Sequence, residues 1–307
     1  MRCDLFCSVV DNFGDIGICW RLARQLQTEY QWQVTLWVDD LVSFQKICHS
    51  IKPELRLQLQ QGVLVRHWTD VLPELSDADK PDLVIEALAC SIPSAYLHWM
   101  AAFADKPLWL NLEYLSAEDW VHGCHALPSP HPQLPLQKYF FFPGFTAQTG
   151  GLLRERGLID RLVRIAGSTD LQQQFWQQAG LTDAMEYQQK ISLFAYSQAQ
   201  ISPWLEQLAN GCQTTLLLVP KGQLATDLTQ LFSELNTGRF DKKSLSIRVL
   251  DFMPQPMYDQ LLACCDINFV RGEDSVIRAH WAGRVFIWQI YRQEEQAHLV
   301  KLQAFLD

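Results

Sequence analysis

The chain has 307 residues, 48% of them hydrophobic, and a formal net charge of −9. That length suggests two domains and that composition is ample for two cores. No run of about 18 apolar residues occurs, which argues against a membrane span, and an acidic balance with no basic stripe argues against nucleic acid as a ligand. Nine scattered cysteines without a C-x-x-C pair, and a start at Met1-Arg2-Cys3-Asp4 with no secretory pattern, read as reduced thiols in a cytoplasmic protein.

Along the first half, apolar and β-branched runs predict strands at Cys3–Val9, Gln33–Val38, Val63–Trp68, Asp82–Ala87, Leu108–Leu112 and Tyr139–Phe142. Helical patterns lie between them, beginning with Ile18–Tyr30, where Ile18, Leu22, Ala23 and Leu26 share a face. The turn between the first strand and that helix reads Val9-Val10-Asp11-Asn12-Phe13-Gly14-Asp15-Ile16-Gly17. In a nucleotide-binding α/β domain this turn usually lacks negative charge, because a pyrophosphate lies against it. Asp11 and Asp15 would repel a diphosphate and favour a cationic or proton-donating group, so this loop is expected to face an acceptor or a reaction centre, with any nucleotide bound elsewhere. The commoner fate of such residues is local: Asp15 capping the helix and Asp11 bonding its own turn. Asp39-Asp40 follows a strand and is expected to start a helix. The stretch Leu115–Phe145, with Pro128, Pro130, Pro132, Pro135 and Pro143, reads as a long irregular loop kept in order by Tyr139-Phe140-Phe141-Phe142. His122-Gly123-Cys124-His125 has ligand-type residues, but neighbours on a loop rarely satisfy tetrahedral geometry, and no zinc is expected.

The glutamine-rich segment around Gln172–Gln189 is expected to join the halves, with domains at 1–182 and 183–307. Strands follow at Ile191–Tyr196, Thr215–Val219, Ser246–Leu250, Ile267–Val270 and Val285–Gln289, with helices at Trp204–Ala209, Met257–Ala263 and Val276–Ala282. Two Rossmann-like α/β domains facing a cleft result. Asn268-Phe269-Val270 ends a strand, Arg271-Gly272-Glu273-Asp274-Ser275 turns, and a helix begins: the layout of an anion site. Arg271 and Ser275 suit phosphate oxygens, while Glu273 and Asp274 suit hydroxyls of a sugar or ribose; simple capping by Asp274 or Ser275 is the alternative. Phe194, Tyr196, Phe252 and Gln255 follow other strands, where a base could stack or bond, although aromatic residues there are more often core. No G-x-x-x-x-G-K-[ST], G-x-G-x-x-G or nucleophile elbow occurs. Glu294–Asp307 reads as a helix that stops without a capping glycine, so a longer natural chain is expected.

These residues carry a resemblance. Asp11-Asn12-Phe13-Gly14-Asp15-Ile16-Gly17-Ile18-Cys19-Trp20-Arg21-Leu22-Ala23-Arg24 resembles the N-terminal signature of the EarP family, protein-arginine rhamnosyltransferases that mature bacterial elongation factor P. Arg271-Gly272-Glu273-Asp274-Ser275, Trp281-Ala282-Gly283, Trp288-Gln289-Ile290-Tyr291, Leu112–Trp120 and Tyr139–Phe145 are similar as well, so the resemblance spans nearly the whole chain. It implies an inverting, metal-independent glycosyltransferase of the two-Rossmann (GT-B) type with no cofactor. The donor would be dTDP-β-L-rhamnose and the acceptor an arginine of elongation factor P. The family's acidic positions fall on Asp11 and Asp15, and its donor-site positions on Phe194, Tyr196, Phe252, Gln255, Arg271, Glu273, Asp274, Ser275 and Tyr291. Two other readings stay open: a sugar-nucleotide transferase of the same fold acting on a small molecule or glycan, and a non-catalytic protein-binding module.

Overall fold

Strand β1 (Arg2–Cys7) sends Cys3, Leu5 and Cys7 into one apolar cluster and Phe6 into another. Burial on both faces is what a central strand of a parallel sheet requires. The computed structural model describes residues 1–10, 13–69, 72–196, 201–291 and 296–307. Its backbone divides into two units, Met1–Arg156 with Gln293–Asp307, and Gly157–Arg292.

In the first unit β1 leads to α1 (Gly14–Tyr30), β2 (Gln33–Val38), α2 (Leu41–Ile47), β3 (Leu57–Gln60), β4 (Val63–His67), β5 (Leu83–Ala87) and α3 (Ser94–Ala102). Then come β6 (Leu108–Leu112), α4 (Trp120–Cys124), β7 (Pro128–Pro130) and β8 (Gln137–Phe141). The sheet runs β3-β4-β2-β1-β5-β6-β8-β7, parallel except where β3 and β7 pair antiparallel with β4 and β8. Ile16, Cys19, Trp20 and Ala23 form the buried stripe of α1, at the spacing one helical face demands. The predicted face is rotated: Ile18, Leu22 and Leu26 only flank this stripe, being partly buried against the same cluster. Burying each such large apolar side chain contributes roughly 1.5–3 kcal/mol, and Trp20 adds an edge-to-face contact with Phe44 of α2 at 5.2 Å. The stretch expected to be irregular between Leu115 and Phe145 contains α4 and the β7–β8 hairpin. A proline-bounded edge strand as short as β7 gives little periodic signal.

The second unit contains α5 (Leu158–Ala166), α6 (Thr169–Gln178), β9 (Gln189–Leu193), α7 (Ile201–Asn210), β10 (Thr215–Pro220), α8 (Gln223–Leu231), β11 (Arg239–Lys242) and β12 (Leu245–Leu250). It continues through α9 (Gln255–Cys264), β13 (Ile267–Val270), α10 (Glu273–Ala282) and β14 (Val285–Trp288). Its sheet runs β11-β12-β10-β9-β13-β14, parallel but for β11. The last helix, α11 (Ala297–Leu306), belongs to the first unit, where Phe305 meets Phe145 edge to face at 5.4 Å.

The expected boundary at 182/183 is therefore corrected. Helix α5 packs with α9 and α10 of the second unit and α6 with α9, and Arg284 Nη2 donates to the Ala166 carbonyl at 3.1 Å. The apolar stripe Leu158, Leu162 and Ile165 is what α5 buries there. In both units the order of winding reverses beside the first strand, between β1 and β5 and between β9 and β13. Open α/β sheets bind ligands outside the carboxyl ends of the strands at such switch points.

Candidate active site

The acidic turn lies at the β1/β5 switch point. Asp15 is 1% exposed. Its Oδ2 accepts from the Val10 backbone N–H at 3.0 Å, and its Oδ1 from the Tyr114 hydroxyl at 2.9 Å. The residue flanking α1 is Phe13, whose side chain makes no capping bond; Asp15 sits in the first helical turn. Its carboxylate therefore reaches back to the loop and across to Tyr114, in addition to any influence on the helix. Negative charge there also suits the positive end of the helix dipole. Asp11 lies outside the described residues.

The surroundings of Asp15 are held by neighbours of defined role. Asp39 Oδ1 accepts from the Val9 N–H at 2.9 Å, fixing the start of the same loop. Asp40 caps α2 through bonds from the Val42 and Ser43 N–H groups at 2.9 and 3.0 Å, as expected of a residue that starts a helix. Burial tends to raise the Asp40 carboxyl, but bonds from Ser43 and Val42 outweigh it and hold the group below its ordinary value. A hydrogen bond with Cys19, together with burial, pushes the Cys7 thiol well above its usual range. Burial pushes Cys90 up to about 12. Both thiols are thus neutral at physiological pH and do not act as nucleophiles.

In the second unit, residues from separate strand ends converge at the β9/β13 switch point. Phe194 follows β9, and its N–H donates to the Phe269 carbonyl at 3.1 Å, which continues the ladder and sets Phe194 beside β13. The Arg271 guanidinium carbon lies 4.5 Å from the centre of the Phe194 ring and 4.6 Å from that of Tyr196. Each such contact contributes about 0.5–2 kcal/mol depending on desolvation. Tyr291, 62% exposed, meets Tyr196 edge to face at 5.7 Å. Arg271, Phe194, Tyr196 and Tyr291 thus form one cluster of a cation and three aromatic rings. Phe252 lies beyond β12 and Gln255 opens α9, at the carboxyl edge of the same sheet but two strands from β9.

Gly272 precedes α10 with φ 73° and ψ 166°, a conformation essentially confined to glycine. This turn aims the first amides of α10 toward the strand end, the arrangement that binds anions. The Ser275 hydroxyl donates to the Arg271 carbonyl within the same turn, so it must rotate to donate to a phosphate. Asp274 Oδ1 accepts from Nε of Arg278 at 3.3 Å, and the wholly buried Arg278 also lies 3.7 Å from buried Asp259. Asp274 thereby braces α10, a role not foreseen for it. Glu273 is half-buried in the first turn.

Three residues near these sites were not singled out from sequence. Tyr114 reaches Asp15 from 99 positions away, and no local pattern links them. Gln289 accepts from the Tyr196 N–H at 2.6 Å through its side chain and donates its own N–H to the Val270 carbonyl at 2.9 Å. It thereby fixes the backbone beneath the aromatic cluster. The Asp274/Arg278 spacing of four is legible on a helix, but Asp259, on α9, is not. His122 and His125 are engaged structurally: His122 Nε2 pairs with the Thr146 hydroxyl at 3.0 Å and His125 Nδ1 accepts from the Phe142 N–H at 3.1 Å. Among the described residues no group of three or more His, Cys, Asp or Glu side chains is arranged to hold a metal ion, and no helix is long and apolar enough to cross a membrane.

Two Rossmann-like units, the second with an anion-type turn at its switch point, are the architecture of a GT-B glycosyltransferase. The chain belongs to the EarP family, described as Elongation-Factor P (EF-P) rhamnosyltransferase EarP, which it matches over residues 3–307. It is 48% identical over 307 residues to the protein-arginine rhamnosyltransferase of Pseudomonas aeruginosa, covering 99% of this chain and 80% of that one. The enzyme of the same name from Shewanella oneidensis is 43% identical over 318 residues, with 99% and 79% covered. A solved structure addressing EarP-mediated arginine glycosylation of translation elongation factor EF-P has a TM-score of 0.64 at 32% identity, covering 99% of this chain and 76% of the other. A UDP-GlcNAc 2-epimerase from Neisseria meningitidis shares the fold, with a TM-score of 0.52 at 10% identity, covering 99% and 85%.

Proposed function

We propose that this chain transfers L-rhamnose from dTDP-β-L-rhamnose to an arginine side chain of elongation factor P, with inversion at the anomeric carbon and without a metal. The family membership supports the reaction class. The observation that carries the division of labour is the opposite charge at the two switch points: a buried carboxylate at β1/β5, and a stacked guanidinium with a helix N-terminus at β9/β13.

The chemistry follows from those charges. A guanidinium stays protonated, with a pKa above about 12, so no carboxylate strips it beforehand. Asp15 instead receives the cation, orients one nitrogen toward the anomeric carbon and accepts its proton as the C–N bond forms. The C–O bond to the diphosphate breaks in the same step, and dTDP departs with the electron pair. Arg271 and the first amides of α10 stabilise that leaving charge. Attack on the face opposite the leaving group inverts the carbon. Asp11 shares the positive charge of the acceptor. Phe194, Tyr196, Phe252, Gln255 and Tyr291 serve the nucleoside end of the donor, and Glu273, Asp274 and Ser275 its sugar and phosphate end. The proposed place of the reaction is the cytoplasm.

Asp15→Asn tests the central step. The amide keeps an acceptor for the Val10 N–H, and the Tyr114 hydroxyl can turn to the Leu88 carbonyl 3.3 Å away, so the fold should persist. General base action is worth about 10²–10⁴-fold. Turnover, followed as the mass increase of one arginine on intact elongation factor P, should fall by at least 100-fold or so, with dTDP affinity unchanged. Near-normal turnover would remove Asp15 from the reaction. Transfer to a glycan or small molecule in preference to elongation factor P would favour the broader sugar-nucleotide transferase reading.

A further inference from the structure

Tyr114 stands beyond β6, two strands from β1 in the sheet. Its hydroxyl passes the end of β5 to reach Asp15 Oδ1 at 2.9 Å and lies 3.3 Å from the Leu88 carbonyl. A phenol has one proton, and the shorter, charge-assisted bond to the carboxylate takes it. The turn that presents Leu88 is itself unusual. Leu88 and Ala89 have φ of 55° and 61°, two consecutive left-handed residues without a glycine. Such a conformation costs of order 1–3 kcal/mol per residue and persists only where surrounding bonds enforce it. Here the Leu88 N–H donates to the Leu112 carbonyl at 2.8 Å and the Cys90 N–H to the Ala87 carbonyl at 3.1 Å. The ends of β5 and β6 are thus locked together, and Tyr114 carries that rigidity to Asp15.

We propose that Tyr114 is a positioning residue that fixes the plane of the Asp15 carboxylate for the incoming guanidinium. The inference rests on the reading of Asp15 as the proton acceptor. Rotation of an aspartate carboxylate about its last torsion is soft. The Val10 N–H restrains Oδ2 and the Tyr114 hydroxyl restrains Oδ1, so bonds on both oxygens fix the plane. Misplacing a reacting group by about 1 Å costs on the order of 100-fold, so loss of one restraint reaches the rate without touching either substrate.

The test is a cycle of Tyr114→Phe, Asp15→Asn and the double variant, assayed on intact elongation factor P. Tyr114→Phe should lower kcat about tenfold and leave KM for both substrates and dTDP affinity within about twofold. In the Asp15→Asn background it should change nothing further, because the group it positions is gone. Incorporation of 3-fluorotyrosine at position 114, which keeps the ring and the donor, should restore kcat to within about twofold and shows that folding is not at issue. An unaltered kcat in Tyr114→Phe, an equal loss in both backgrounds, or no rescue by fluorotyrosine overturns the proposal. Near-normal turnover of Asp15→Asn alone marks instead the failure of the underlying reading, and the proposal falls with it.

Discussion

Arg271 is planar, permanently charged and already over two aromatic rings, at 4.5 and 4.6 Å. Stacking restricts its rotamers before any ligand arrives, so less entropy would be lost on gripping the proposed diphosphate. Lysine keeps the charge but neither the plane nor the fork of donors. Arg271→Lys should therefore weaken dTDP binding by about tenfold, and Arg271→Ala by at least as much, since a bond to a charged group is worth about 1.5–3 kcal/mol. Calorimetry giving wild-type affinity for the lysine variant would show that charge alone matters there. At this scale the sequence was informative wherever an unusual residue type sat at a strand end. Asp15 stood out because its charge opposes what its turn would otherwise carry, and Arg271 because its charge suits the anion-type layout of its turn. Tyr114 did not, because an aromatic residue in a loop is usually core and its partner is remote in sequence.

The element that most constrains the proposed donor side is α10, whose start is set by Gly272 and whose body is braced through Arg278. A guanidinium with no solvent exposure needs compensating charge, and Asp274 of α10 and Asp259 of α9 lie at 3.3 and 3.7 Å. Arg278 also lies beneath the Trp281 ring at 5.1 Å. Removing one partner of a buried ion pair leaves the other uncompensated, at a cost of about 3–5 kcal/mol. Arg278→Ala should lower the stability of the second unit by that amount in urea unfolding, and an effect below about 1 kcal/mol would mean the pair is not what joins the helices. Most elements were readable before any coordinates: β2, β6 and β13 fall at the predicted residues because β-branched and apolar runs there are bounded by turns. The misplaced boundary has a physical source. Helix α6 buries Phe175 and Trp176 but is otherwise rich in glutamine, so its composition reads as a linker. Helix α5 shows the Leu158/Leu162/Ile165 periodicity plainly, yet periodicity tells that a helix is buried, not which sheet it is buried against.

Across the whole molecule, each unit repeats one plan, a parallel sheet that reverses its winding beside its first strand, but the two switch points carry opposite charge. The first offers Asp15, buried and held by Val10 and Tyr114; the second offers Arg271, the Gly272 turn and the amides of α10. A nucleotide diphosphate alone should therefore discriminate between them. At 100 times its Kd, dTDP should stabilise the unit it binds by about 2.7 kcal/mol. Hydrogen exchange should then slow at Phe194–Tyr196 and Arg271–Ser275, where the anion is expected to seat, and remain as before at Cys7–Val10 and around Tyr114. Asp15→Asn, a change in the other unit, should leave both the dTDP affinity and this protection pattern unaltered. Protection centred on the loop after β1 instead would place the diphosphate beside a carboxylate, and the charge division on which the transfer chemistry depends would have to be abandoned.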